Sequence, residues 1–599
     1  MAYVSFDIFD TCLIRKCGAA NNVFFLLGRL LFGDDSTQAE MFYHWRVWAE
    51  SEAMRRTNRK TITIAEIYDT LRPEIKGKYT AEQLIEAEMN LESEQLRMVP
   101  STLQLITKFR DQGYGIVFIS DMYLSSSFLC NLLQREGIWQ DGDQLFVSCE
   151  CGYTKSTSDL YLLVEKERGS KPVFHYGDTL WSDIKMAKQA GIHAMLVHTE
   201  FSKAEQYILS KTKHFKQALA VSCMVGIMRF SRLTSPFAFA ADMSANFVAP
   251  IWTAYVLDIL QKAMREKMER LYFLARDGYI LLWIAKQLQE ENSKLELRYL
   301  YVSRKSMYLP SFTGHTLEET EPYFGDKFRY TSKTQVLRYF KQYKEWNPAT
   351  VQLEAVESRK RIDAYFEKEG IYNQDVNYAL VDVGWKGSGR VAFNSLMSLH
   401  HCSSKEMWYW GTFESWRNNF SGSFYTHNTQ LQLPLYFITL VEDYFSTSPD
   451  LSTIDYLDGK PVFDEDSRID NSEILEMNKY CLQHYLDFLK QYHLRGTEIH
   501  NDLSSICSLI LINHPELINF EALVEMKGFS EGKEAQSGFV RKVGFIYALK
   551  YMFGFSLLQG WTEGNLVFSY PQLFLSIRRF RLLSLSLKKK MRKIYNLIH

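Results

Sequence analysis

The sequence predicts an α/β protein built on two doubly wound parallel sheets, joined and followed by helical segments. Three observations point there. Short apolar runs of strand length alternate with amphipathic helical stretches through the first 200 residues, and the same alternation resumes after residue 269. Strands alternating with helices give parallel sheets covered on both faces. Apolar residues make up 46% of the 599-residue chain and charged residues 23%, a composition that buries cores and argues against disorder. A chain of this length holds about four domains. We divide it into an α/β domain over 1–200, a helical linker over 203–268, a second α/β domain over 269–425 and a mostly helical region over 426–599 that ends in a basic tail.

Tyr3 to Phe9 reads as a short apolar strand interrupted by Asp7. A helical insert over about 15–98 follows it like a cap. Within the insert, Thr63-x-x-Glu66 has the form of a capping box opening the run Ile64, Ile67, Tyr68, Leu71. Pro100 and Ser101 start another helix. Gly115–Ser120, Leu145–Val147, Pro172–Tyr176 and Ile192–Val197 complete the first set of strands, with a helix over Ser182–Ala190. In the second α/β domain the strands fall at Leu271–Ala275, Leu297–Val302, Tyr378–Val383 and Met407–Phe413.

Several function classes are set aside. A net charge of −1 does not attract nucleic acid, and no nucleic-acid motif is present, so no such partner is expected. Nine cysteines without a CxxC pair fit reduced, buried thiols in the cytoplasm, with Cys149 and Cys151 on one face of a strand. The first residues lack the basic and apolar regions of a secretory signal. No run is long and apolar enough to span a bilayer, and Met243–Leu257 reads as a buried helix.

Ligands of an open parallel sheet sit beyond the carboxyl ends of its strands. The first domain puts polar residues at each such end: Asp7 and Asp10 in Phe6-Asp-Ile-Phe-Asp-Thr11, Ser120 before Asp121-Met-Tyr-Leu, Lys155 in Gly152-Tyr-Thr-Lys, and Asp178 with Asp183 in His175-Tyr-Gly-Asp-x4-Asp. A carboxylate can attack an electrophilic phosphorus or carbon. Paired carboxylates suit an octahedral, oxygen-seeking Mg²⁺. A lysine offers a point charge.

These four motifs in this order resemble the haloacid-dehalogenase (HAD) superfamily, over about 200 residues with the insert included. The resemblance implies that Asp7 is the nucleophile and that Asp7, the backbone carbonyl of Phe9 and Asp178 hold Mg²⁺, with Asp183 close by. Ser120 would bind a substrate oxygen, and Lys155 the nucleophile and a second oxygen. One position departs from the pattern. Phosphatases of the superfamily carry a second Asp two residues after the nucleophile, as general acid/base, and here that residue is Phe9. Family dehalogenases also have an aromatic there. The readings left open are a phosphatase using Asp10, Asp121 or water, a slow phosphotransferase, a carbon–halogen or other hydrolase, and a metal-binding domain without activity. The substrate class is a small phosphorylated molecule, such as a sugar or polyol phosphate.

The second α/β domain is Rossmann-like. Its strand ends carry Arg276-Asp277-Gly278, Arg304-Lys305 and Asp382-Val-Gly-Trp-Lys386-Gly387-Ser388. Glycine-rich turns into helices present N–H groups to anions, and we assign these residues to a second, phosphate-binding site. The order is loosely similar to phosphoribosyltransferases, with their two adjacent acids reduced to Asp382. An ordinary structural α/β domain is the alternative. The whole chain resembles large bacterial predicted HAD hydrolases associated with surface-polysaccharide synthesis, which implies a role in glycan metabolism. It equally leaves open a weak HAD half joined to a glycosyl- or phosphoglycosyl-transferring half, or a scaffold for glycan assembly.

After Glu563 there is no acidic residue, and Arg578, Arg579, Arg581, Lys588, Lys589, Lys590, Arg592 and Lys593 interleave with Leu, Ile and Phe. This pattern suits an anionic membrane surface, so the expected location is cytoplasmic and peripheral at the inner face of the membrane.

Overall fold

The computed structural model describes the chain except residues 1, 34–35, 73–74, 76–78, 213–214, 239, 315–318, 320–346, 386, 413–424, 427–436, 439, 466–470, 526, 531–532, 539, 541, 554–560 and 599. It forms two compact units, one of residues 1–246 and 483–499, the other of 247–482 and 500–599. The stretch 203–268 is therefore helical without being a separate linker, since it divides between the units at residue 246. The region 426–599 likewise gives 483–499 to the first unit.

The first unit opens with β1 (Tyr3–Phe6), a fully buried strand, and closes its sheet with β4 (Gly115–Ser120), β5 (Gln144–Val147), β6 (His175–Gly177) and β7 (Ala194–Leu196). All neighbours are parallel, in the order β5-β4-β1-β6-β7. The chain steps outward from β1 in one direction, then returns to continue on its other side. The order reverses between β1 and β6, and a crevice opens at such a reversal. Strand β1 stops at Phe6, one residue short of Asp7, although Asp7 N still donates to Tyr176 O at 2.8 Å. The turn beyond is closed by Cys12 and Leu13 N–H groups on Ile8 O.

A short antiparallel ribbon, β2 (Leu13–Arg15) with β3 (Leu96–Met98), leads into and out of the insert. The insert comprises α1 (Asn22–Phe32), α2 (Ser36–Arg56), α3 (Ile64–Thr70) and α4 (Ala81–Gln95). The Thr63–Glu66 capping box forms as its spacing predicts, with Thr63 N on Glu66 Oε2 at 2.9 Å. A buried polar network holds the helices together. Arg46 donates two 2.8 Å bonds to Glu88, which also accepts from Tyr68 and from Tyr123 in the loop after β4. Arg15 donates three bonds to Glu92, the shortest 2.9 Å. Breaking one partner of such a pair strands a charge in the interior, at a cost of about 3–5 kcal/mol.

Helix α5 (Pro100–Asp111) starts at Pro100 as the sequence predicts, with Val99 as its cap residue and Pro100 in the first turn. Proline fits there because its missing N–H is one the helix leaves unbonded anyway. Cys149 and Cys151 lie in a short helix, Ser148–Cys151, rather than on a strand face, because β5 has ended at Val147. All nine cysteines are free thiols. Helices α6 (Ser126–Arg135) and α7 (Asp159–Arg168) flank the sheet, and a π-helical segment, Leu180–Met186, follows β6. Helices α8 (Lys203–Thr212) and α9 (Ala218–Thr234) complete the unit. Gly226 of α9 lies so close to the chain after β2 that a Cβ there would stand 2.0 Å from the carbonyl carbon of Cys17.

The second unit begins with a π-helical turn and α10 (Ala249–Arg265), the buried helix expected around Met243–Leu257. Its sheet contains β8 (Arg270–Leu274), β9 (Glu296–Leu300), β10 (Tyr378–Trp385), β11 (Met407–Thr412) and β12 (Tyr425–Thr426), all parallel in the order β12-β11-β10-β8-β9. Here too the order reverses beside the first strand, between β8 and β10. Phe413, placed at the end of the fourth strand by the sequence, lies outside the described residues. Helices α11 (Gly278–Leu288), α12 (Arg304–Ser311), α13 (Pro348–Glu369) and α14 (Ser388–Leu399) accompany the strands. A two-stranded ribbon, β13 (Thr453–Leu457) with β14 (Lys460–Phe463), packs its Tyr456 into the core beside Tyr365.

Candidate functional site

The reversal point of the first sheet gathers the residues singled out in the sequence. Asp7 follows β1, Ser120 ends β4, Lys155 follows β5, and Asp178 and Asp183 follow β6. Lys155 Nζ lies 2.5 Å from Asp7 Oδ1 and 2.6 Å from Asp183 Oδ1, with all three side chains buried. Asp7, Asp178 and Asp183 bring carboxylate oxygens within 4.8 Å of one another, the one such group of potential metal ligands among the described residues.

Asp183 is held from every side. Its Oδ1 also meets His175 Nε2 at 3.4 Å and Tyr161 Oη at 3.5 Å, and its Oδ2 accepts from Thr179 N at 3.0 Å. Tyr161 and Ser5 fix the His175 ring at 3.0 and 2.9 Å. Gly177 makes room for this arrangement, since a Cβ there would fall 2.4 Å from Asp183 Cβ. Asp183 is thus a positioning residue. Asp178 accepts a longer bond from Thr11 Oγ1, 3.4 Å.

The electrostatics follow from three carboxylates facing one ammonium. Burial alone would discharge Lys155, but Asp7 and Asp183 hold its pKa well above the ordinary lysine value. The Asp183 carboxyl is lowered, with Lys155 and His175 outweighing burial. Burial and the neighbouring Asp183 and Asp178 push Asp7 well up against the pull of Lys155. Asp178 is raised to about 6 by burial, Asp10 and Asp183. Ionised together, the three carboxylates would exceed the one ammonium by two charges, and hard oxygen donors with that excess fit a divalent cation such as Mg²⁺.

Ser120 is 1% exposed and its hydroxyl has no partner. A buried hydroxyl left unbonded is costly, and at a strand end facing this crevice it fits an oxygen supplied by a substrate.

The two acids considered as replacements for the missing proton donor are both committed. Asp10 has a left-handed backbone, φ 53°, and its Oδ1 accepts from Arg229 Nη2 at 2.7 Å. Its carbonyl accepts from Thr199, and Arg229 is tied to Thr199 O at 2.7 Å. Through this bond Asp10 secures the loop after β1 to α9. Asp121 accepts from the N–H groups of Lys155 at 2.9 Å and Ser156 at 3.4 Å, holding the lysine loop in place. The Phe9 ring lies under the Arg15 guanidinium, 4.6 Å from ring centre to Cζ.

Sequence reasoning missed Tyr161, Thr11 and Arg229. Tyr161 and Arg229 lie within regular helices and belong to no motif, so only the fold brings them here.

The second sheet assembles a different set at its reversal point. Asp277 precedes α11 and Asp382 lies on β10. Burial raises Asp277, opposed by Arg276 and Arg304. Burial and Asp277 raise Asp382 to about 7, opposed in part by Arg304. Glu442, on the π-helical segment Leu440–Phe445, is raised to about 8 by burial and Asp277 and was not anticipated. The charges of Arg276 and Arg304 both lower Asp277, and the acids Asp277, Asp382 and Glu442 act on one another, so the surroundings are not purely basic. Lys305 instead bonds Asp464, and Ser388 Oγ accepts from Tyr308 Oη at 2.7 Å. Gly278 and Gly387 flank α11 and α14, and Lys386 lies outside the described residues.

The parallel sheet with its helical insert gives the first unit a HAD-like α/β fold, with these carboxylates at its strand ends. Residues 170–220 match the family described as HAD-hydrolase-like, and the chain carries a HAD-superfamily domain. No curated protein matches the chain. Solved structures similar to it include the HAD-hydrolase YfnB from Bacillus subtilis bound to magnesium, at 18% identity over 33% of this chain and 89% of that one, TM-score 0.25. A HAD phosphatase from Thermococcus onnurineus is 19% identical over 33% and 87%, TM-score 0.24. L-2-haloacid dehalogenase from Xanthobacter autotrophicus is 15% identical over 35% and 83%, TM-score 0.27.

Proposed function

We propose that the first unit is a Mg²⁺-dependent hydrolase or phosphotransferase in which Asp7 attacks a small phosphorylated molecule, such as a sugar or polyol phosphate. The observation that carries this reading is the meeting of Asp7, Asp178, Asp183 and Lys155 beside the unpartnered hydroxyl of Ser120. Asp7, Asp178 and the Phe9 carbonyl would hold the ion, which supplies positive charge against the transferring group. Asp183 keeps Lys155 and Asp7 in register.

An Asp7 oxygen forms a bond to phosphorus as the bond to the leaving oxygen breaks, giving an aspartyl phosphate. Lys155 and Ser120 hold the transferring oxygens. The leaving oxygen takes its proton from water, because Phe9 has none to give and Asp10 is bound to Arg229. Water, or a second substrate hydroxyl, then attacks phosphorus and frees Asp7. Without a built-in acid the rate is lower by about 10²–10⁴-fold. A role in surface-glycan metabolism rests on the resemblance of the whole chain, and the second unit's Arg276, Asp277, Arg304, Asp382 and Glu442 would serve ligand binding or glycosyl transfer there.

The occupied position of residue 9 favours one alternative, attack of Asp7 on carbon, which needs no acid for a halide leaving group. A panel of sugar and polyol phosphates and haloacids, assayed with Mg²⁺ on the full chain and on Asp7→Asn, decides between them. Phosphate release that vanishes in Asp7→Asn supports the first reading. Full Mg²⁺-dependent activity in Asp7→Asn refutes both.

A further inference from the structure

The C-terminal helix, α15 (Phe574–Ile598), runs for 25 residues at the end of the second unit. Its first turns pack on the protein. Phe574 and Ile577 are buried, Arg578 donates to Asn513 O at 2.5 Å, and Arg581 donates to Tyr551 O at 2.7 Å. Ser584 reaches Met552 O at 2.8 Å, and the Phe580 and Phe553 rings meet edge to face. Away from these contacts Leu582 is 61% and Leu583 65% exposed, and Leu575 and Leu585 are also open to solvent, alongside the exposed Arg579. On the helix Phe545–Met552 against which it packs, Phe545 and Ile546 are exposed at 65% and 71%.

Single exposed leucines need no explanation, but a run of large apolar groups along one helix is a binding surface. The sequence carries the pattern to its end. Leu587, Met591, Ile594 and Ile598 then recur three or four residues apart in the sequence, a helical spacing. Eight Lys and Arg residues lie along the helix, and no acid follows Glu563.

We infer that this helix docks the protein on an anionic lipid leaflet, lying in the plane of the headgroups. The charge pattern selects the occupant. A leaflet offers negative charge and apolar depth side by side over the full length of a helix. A nucleic acid would match the charge and leave the leucines in water. A second copy of the chain would match the leucines and oppose eight like charges with eight more.

Flotation of the full-length protein with phosphatidylcholine vesicles, with and without phosphatidylglycerol, tests this. Binding is expected to the anionic vesicles alone and to fall in about 1 M salt, where charges are screened within about 3 Å. Each basic residue removed should weaken partitioning by about fivefold. Lys588→Gln with Lys589→Gln and Lys590→Gln should then lose more than about tenfold, and the exposed Arg579→Gln alone a few-fold. Leu582→Ser with Leu583→Ser, which faces solvent and leaves the fold intact, should abolish the binding that persists in salt. Equal binding to neutral and anionic vesicles, unchanged flotation of the lysine variant, or self-association or RNA binding without vesicle binding would each overturn the inference.

Discussion

Arg15 holds its guanidinium 4.6 Å from the centre of the Phe9 ring. The same arginine is buried and bonded three times to Glu92 at the base of the insert. Residue 9 thus sits beneath a permanent positive charge, two positions after the proposed nucleophile Asp7.

That placement sets the outcome of Phe9→Asp. A carboxyl beneath Arg15 will be held ionised, and an ionised group cannot donate a proton. The variant should gain phosphate-ester hydrolysis by less than about 10²-fold near neutral pH. The gain should grow as pH falls and the new acid becomes protonated. A pH–rate profile of parent and variant reads this directly; a gain that grows with rising pH would show that residue 9 works as a base.

Asp10→Asn separates support from catalysis. The substitution weakens a charge-assisted bond to Arg229, so stability should drop by about 1–3 kcal/mol. Turnover per folded molecule should change by less than about tenfold. A loss beyond about 10²-fold in protein that melts normally would make Asp10 the proton donor.

Glu88→Gln should destabilise the first unit by about 3–5 kcal/mol, since it leaves Arg46 charged, buried and short of its partner. Replacing both by methionine should cost far less, because no charge is then stranded. Urea unfolding of the three proteins makes the comparison. If the double replacement is as damaging as the single one, the network contributes through its shape rather than its charge.

The second unit carries an opposite pH signature to that of a salt-bridged protein. Asp382 and Glu442 have folded pKa values near 7 and 8, above their unfolded values. A raised acid binds protons more readily in the folded state, so its contribution to stability is lost as pH rises through the folded pKa and regained as pH falls toward the unfolded one. Melting temperature should rise from about pH 8 toward about pH 5 through these groups. The difference between parent and Asp382→Asn should shrink over the same interval. A difference that stays constant from pH 5 to 8 would mean that Asp382 is ionised throughout.

The architecture was legible because its signals are local. Ser120 ends a strand and Asp7, Lys155, Asp178 and Asp183 follow one, and a parallel sheet brings strand ends to one edge. The capping box at Thr63 is local in the same sense. What the sequence could not show is convergence from elsewhere. Arg229 reaches Asp10 across 219 positions of sequence, and Glu442 joins Asp277 and Asp382 from a segment with no motif. The strand predicted over Tyr3–Phe9 ends three residues early, because pairing with β4 and β6 ceases at Phe6. The second site read as basic in sequence, since charge runs reveal which ions are near in the chain and not which carboxylates fold against them.

The bridge that Lys155 makes between Asp7 and Asp183 has a consequence for life under metal scarcity. Domains whose only counter-charge is a bound ion unfold when a chelator strips it. Here the polypeptide carries its own resident cation, Lys155, so removal of an ion bound beside it should leave the domain folded.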